Sequence, residues 1–166
     1  GNVTREALID AILDSQLDDG GWNLYDKGGS GKADVDMTAM AIQALAPYYD
    51  SDSKVKAAVD KALNTLSVMQ NPDGSFGSID GACSESAAQV IVALTALGIN
   101  PTTDSRFIKN GVNPLSTLCS FYVEGGGFKH VPNGDRDGMA TEQSYYALAA
   151  YFRFLNGQTR LYDMGD

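Results

Sequence analysis

The chain has 166 residues, a size that suits one domain or a piece of a larger protein, and 43% of them are hydrophobic, enough for a core. With 21 acidic residues against 12 basic ones the formal charge is −9, which argues against nucleic acid or an anionic membrane surface as a partner, because both reward a positive field. No apolar run approaches the ~18 residues of a membrane span, and two cysteines, Cys83 and Cys119, are too few for a disulfide framework.

Two buried thiols are expected, and neither cysteine has the close Cys/His company of a zinc site, so no metal and no cofactor is expected. The chain opens on Gly1 rather than Met, which leads us to expect a segment of a longer protein from which any leader has been removed.

In chain order, a first helix is predicted over 4–17, followed by a polar, glycine-rich loop over 27–32. A second helix over 36–49 reads DMTAMAIQALAPYY, and a third covers 53–69. The fourth, over 84–97, reads SESAAQVIVALTAL and stops at Gly98 with Pro101 beyond it. A short turn over 103–109 closes on Asn110 and Gly111, and a fifth helix starts at Pro114 and runs to 122. After a polar loop over 132–138 the sixth helix occupies 140–154. Asp36, Ser84 and Thr141 are the expected caps or first-turn residues. No stretch alternates as a strand would. The fold class read from this pattern is all-α, with about six main helices in three hairpins (about 4–49, 53–97 and 103–155) forming a single domain over 1–166.

The hairpins share a spacing. Gln16, Gly20 and Trp22 stand at the same intervals as Gln70, Gly74 and Phe76, and again as Tyr122, Gly126 and Phe128. Four residues before each Gln or Tyr stands Ile12, Leu66 or Leu118, one helical turn back on a buried stripe. Glycine permits a tight turn, the aromatic plugs the end of the apolar layer, and the glutamine amide can bond backbone groups that the turn exposes.

The Gln-x-x-x-Gly-x-Trp arrangement resembles the repeat of squalene and hopene cyclases and, more loosely, of the prenyltransferase-like α/α toroids. The resemblance runs from about Ile12 to Leu155. The stretches DVDMTAMAIQAL and RFIKNGVNPLSTL look most like uncharacterised domains of bacterial secreted and cell-surface proteins. It implies a partial toroid, an open arc completed by other domains of a longer parent protein or by another chain, and a secreted or cell-surface location.

Asp34-Val35-Asp36-Met37-Thr38-Ala39 resembles the acid motif that protonates the polyene in triterpene cyclases, with Asp36 in the donor's place and Met37 where the motif has a further acid. From the residues alone, Asp34 and Asp36 read as helix-capping groups that also compensate the dipole at a helix start. Protein prenyltransferases hold zinc with Asp, Cys and His. Asp80 and Cys83 stand near the first two, Ala140 falls where the histidine would be, and the one histidine, His130, reads as a surface-loop residue that would complete a zinc site only by swinging into place. Cys83-Ser84-Glu85-Ser86 keeps the Cys and Glu of complement-type thioester domains but lacks their Gln. Asp73-Gly74 and the Asp135–Asp137 loop lack the ordered calcium-loop pattern. Ser86 and Ser144 have no His and acid at a triad spacing.

The candidate ligand-binding residues are therefore Asp36, Glu85, Glu142, Tyr145 and Tyr146, all on the second helix of a hairpin. Together they would form an acidic, aromatic-edged cleft for a carbohydrate, a peptide or a cationic ligand. Three functions stay open: a non-catalytic ligand-binding or structural module, an enzyme working on a carbohydrate or isoprenoid through these carboxylates, and a spacer.

Overall fold

A computed structural model describes residues 3–78 and 81–163. It is mostly helical. Helix α1 spans Arg5–Asp14, α2 Val35–Leu45, α3 Ser53–Met69, α4 Ser84–Ala96, α5 Pro114–Ser120 and α6 Gly138–Leu155. Single 3-10 turns, Ala46–Tyr48 and Ser105–Phe107, follow α2 and precede α5.

Two antiparallel ladders of two residues per strand, which the sequence pattern does not signal, precede α4 and α6. In one, β1 (Gly77–Ser78) pairs with β2 (Gly81–Ala82). In the other, β3 (Phe128–Lys129) pairs with β4 (Arg136–Asp137), with Phe128 opposite Asp137. Strands this short carry no alternation to read.

Helix α4 is the centre of the molecule. Twelve of its 13 residues are buried, Ser84 to Thr95 without a break, as expected of a helix apolar or small on every side. It packs against α6, α2 and α5. Helix α3 is amphipathic instead: Val55, Ala58, Val59, Ala62, Leu63 and Leu66 form one buried stripe at helical spacing. Phe76, Phe107 and Phe128 are the bulkiest fully buried side chains. Helix α1 contributes no buried residue and sits at the edge, against α3. Among the described residues no helix is long and apolar enough to cross a membrane.

The same turn is built three times. The amides of Leu17, Asn71 and Val123 donate to the carbonyls of Gly21, Ser75 and Gly127, each at 2.9 Å, and the amides of Gly20, Gly74 and Gly126 reach back to Leu17, Asn71 and Val123, also at 2.9 Å. The three glycines have φ of 98°, 84° and 108°, where a side chain is strained. In the first two turns the glutamine does what the residue type suggests. Gln16 Nε2 donates to Gly20 O and Ala58 O, each at 2.8 Å; Gln70 Nε2 donates to Gly74 O and Phe107 O, each at 3.0 Å. The second acceptor belongs each time to the next hairpin.

Helix ends differ in detail from the sequence expectation. Asp34 caps α2 as expected, with Asp36 in the first turn, and Ser84 is the first residue of α4; the N-caps of α4 and α6 are Cys83 and Asp137. Asp34 and Asp137 accept from Met37 N (2.9 Å) and Ala140 N (2.8 Å). Thr141 serves the turn instead. Like Thr38, it accepts the amide of the turn aromatic, Phe128 for Thr141 and Trp22 for Thr38, both at 2.9 Å. Helix α1 ends at Asp14 and α5 at Ser120, short of the expected 17 and 122, because the following residues enter the glycine turn. Gly98 closes α4 as expected: φ is 72°, and Ile99 N donates to Leu94 O at 2.9 Å.

Candidate functional site

Each of the helices α2, α4 and α6 starts beside a residue paired with the aromatic of the preceding turn, so their N-termini carry equivalent positions. Asp34 N donates to Trp22 O at 2.8 Å and Cys83 N to Phe76 O at 3.0 Å, while Asp137 is the ladder partner of Phe128. Two residues past the N-caps of α2 and α4 come the acids Asp36 and Glu85, in the first helical turn.

Glu85 is 7% exposed. Both its carboxylate oxygens lie 2.9 Å from His130 Nδ1, and Ser84 Oγ lies 3.2 Å from Oε2. His130 is brought there by its own backbone, since Ser84 N donates to His130 O at 3.1 Å and Ser84 Oγ donates to Lys129 O at 2.7 Å. His130 is exposed on a loop, as expected, and that loop is fastened to the start of α4. Cys83 Sγ lies 3.1 Å from Ser86 Oγ, and burial pushes its thiol up, the charges of Asp36 and Glu85 adding to the effect. Asp36 is partly buried, and its Oδ1 is fully covered without a hydrogen-bond partner. Burial raises its carboxyl above the ordinary range; the charges of Asp34 and Glu85 push the same way, against Ser86 and His130.

A polar line crosses the three helices from this end. Gln43 Nε2 donates to Gln89 Oε1 at 2.8 Å; Gln89 Nε2 donates to Gln143 Oε1 at 2.9 Å and also to the Tyr146 hydroxyl. Burial, with Tyr162 nearby, pushes the Tyr146 hydroxyl up to about 12.

The five candidate residues separate into groups. Asp36 and Glu85 come together at the helix starts, and Tyr146 joins the amide line, with Asp36 and Glu142 close enough for their charges to act on it. Glu142 itself is exposed. Tyr145 turns to the glycine turn, half exposed, edge-on to Phe128 with ring centroids 5.6 Å apart. Cys119 is exposed rather than buried, a correction that follows from its place near the open end of a helix of only seven residues.

The other motifs resolve into structure. Asp73 Oδ1 accepts from Ser75 N (3.0 Å) and Ser75 Oγ (2.6 Å), closing its turn, and Asp137 is a cap. Asp80 lies outside the described residues. Among the described residues one group of His, Cys and acidic side chains converges as metal ligands would: Cys83, Glu85 and His130, their ligand atoms all within 4.8 Å of one another. Sequence reasoning set Cys83 beside Asp80 and left His130 on its loop, missing Glu85 as the third member because His130 is remote in the chain. The available signal was a cysteine at a cap position that the neighbouring hairpins fill with aspartate. Neither the protein-family models nor the curated proteins contain a match to the chain.

Proposed function

We propose that the chain is a non-catalytic ligand-binding module of a secreted or cell-surface bacterial protein, and that its three hairpins form a partial α/α toroid extended by other domains of the parent protein. The thrice-built turn and the side-by-side packing of α2, α4 and α6 support the repeat reading. The observation that carries the binding reading is Asp36: a carboxylate oxygen buried without a partner costs stability and is retained where a ligand donor completes it. The adjoining amides and Tyr146 supply further donors and acceptors, and the −9 charge favours a cationic ligand over an anionic one. The ligand class we assign is a peptide bearing a lysine or arginine side chain, not a nucleic acid.

The test is an NMR titration of the isotope-labelled chain with lysine-bearing peptides and, separately, neutral oligosaccharides. Peptide should shift the amides of Asp36, Glu85, Gln89 and Tyr146, and Asp36→Ala should weaken binding at least tenfold. Equal affinity of wild type and Asp36→Ala, or unmoved signals, would overturn the reading; shifts with the oligosaccharide alone would reassign the ligand to carbohydrate.

One observation favours a second reading. Burial raises the Asp36 carboxyl above its ordinary range with a second acid, Glu85, nearby, and a carboxyl raised in this way is what general acid catalysis on a sugar or isoprenoid employs. Turnover of a glycoside or polyene, abolished by Asp36→Asn, would establish it.

A further inference from the structure

The central helix departs from its neighbours at one position. Asp34 and Asp137 cap α2 and α6 through side-chain bonds to backbone amides, but Cys83, in the equivalent place on α4, makes no side-chain cap bond. Exchange of a capping Asp for a residue that cannot cap costs a helix stability. At the most buried helix of the molecule that cost calls for another use of the thiol. Its surroundings supply one. Glu85 Oε1 and Oε2, His130 Nδ1 and Cys83 Sγ converge from two segments that the Ser84–His130 and Ser84–Lys129 bonds hold in register.

We propose that Cys83, Glu85 and His130 form a binding site for a divalent transition metal, zinc by preference. A thiolate, an imidazole and a carboxylate are the three ligand types zinc accepts, whereas calcium and magnesium take oxygen alone. Zinc bonds of about 2.0–2.3 Å in a tetrahedron put neighbouring ligand atoms roughly 3.3–3.8 Å apart. The ligand atoms here lie within 4.8 Å of one another, so small side-chain rotations close the site around an ion without moving the backbone.

Three protein ligands leave a fourth position to water. Bound metal would clip the start of α4 to the segment after β3, joining the second hairpin to the third. The site stands whether or not the polar line on α2, α4 and α6 takes a peptide.

The experiment is a titration of the reduced, metal-stripped chain with cobalt(II), then zinc, with no peptide present. One equivalent of cobalt should give the visible bands of a tetrahedral centre and a near-ultraviolet thiolate-to-cobalt charge-transfer band, both displaced by zinc. Cys83→Ser should abolish the charge-transfer band. His130→Asn and Glu85→Gln should weaken binding ten- to a hundredfold, and Cys119→Ser should leave it intact. His130 is 51% exposed in its side chain, so its replacement leaves the fold in place and keeps the test decisive if a Cys83 variant fails to fold. Zinc should raise the thermal midpoint of wild type and not of His130→Asn. Absence of stoichiometric uptake, or uptake that survives both Cys83→Ser and His130→Asn, would overturn the assignment.

Discussion

The first two glycine turns and the third share a backbone but not a side-chain lock. Gln16 and Gln70 each bind the turn's own glycine carbonyl and a carbonyl of the following hairpin. The third turn has the same backbone bonds, yet Tyr122 stands in place of the glutamine, half exposed and edge-on to Phe128 at 5.5 Å. The described chain carries no further outer segment beyond the third turn. The turn geometry is therefore a property of glycine and the buried aromatic, and the glutamine is a bond between hairpins. A position reads as Gln where a neighbour offers a carbonyl, and is free to change where none does.

The shared part should be the harder to lose. Phe76 and Phe128 are both almost fully buried, and truncation of either to alanine should cost about 3–5 kcal/mol in chemical denaturation. Equal losses in the second and third turns would confirm that the aromatic acts alike in both; a small loss at Phe128 would confine the comparison to the first two. The next largest effect separates the turns. Gln70→Ala leaves the Phe107 carbonyl without its donor inside the protein, while Gly74 O keeps the Thr117 hydroxyl at 2.9 Å, a loss of about 1–3 kcal/mol. The value should fall in the lower half of that range, because Gln70 Oε1 is itself buried without a partner.

Much of this was legible in the sequence because it is local. The intervals of Gln, Gly and aromatic placed all three turns, and helical spacing placed the six helices. The Asp34 cap was legible too, but the caps of α4 and α6 were not, since Cys83 and Asp137 act from the extended residue before each helix and polar residues inside the first turn resemble caps equally well. Of the candidate site, Asp36 and Glu85 meet because equivalent positions on adjacent helices are neighbours. The His130–Glu85 contact depends on backbone bonds between Ser84 and residues 129–130, and no periodicity encodes those. Tyr145 and Tyr146, adjacent in the chain, point to different surroundings because consecutive helical residues never share a face.

Asp36 sharpens the comparison by reversing its sign. Gln70 is a buried polar group whose amide nitrogen is tied to two carbonyls, so its removal destabilises; Asp36 has a buried oxygen tied to nothing, so its replacement should stabilise. Burial raises the Asp36 carboxyl in the folded chain. Below the ordinary aspartate range both states are protonated and the penalty is absent. As pH rises, the unfolded chain ionises first, and stability falls until pH passes the raised folded value, above which the penalty is constant. Asp36→Asn should therefore add roughly 1 kcal/mol at neutral pH. The gain should shrink as pH falls through the raised value and vanish below the ordinary one. A gain independent of pH would place its origin in packing rather than in the charge.

The smallest effect separates a lock within the turn from a bond between hairpins. Tyr122→Gln restores the residue that the other turns use, and a lock intrinsic to the turn would be regained with it. A bond between hairpins would not. The new amide finds the Gly126 carbonyl, the counterpart of Gly20 and Gly74, but has no second carbonyl to join, and it gives up the edge-on packing with Phe128. One exposed hydrogen bond roughly offsets the missing aromatic pair, so stability should stay within about 0.5 kcal/mol of wild type. A gain well above that would show that glutamine locks its own turn without help from a neighbour. A near-zero result, set beside the loss from Gln70→Ala, would assign the difference to the Phe107 carbonyl. In a longer chain that supplies a further outer segment, the same substitution should become stabilising.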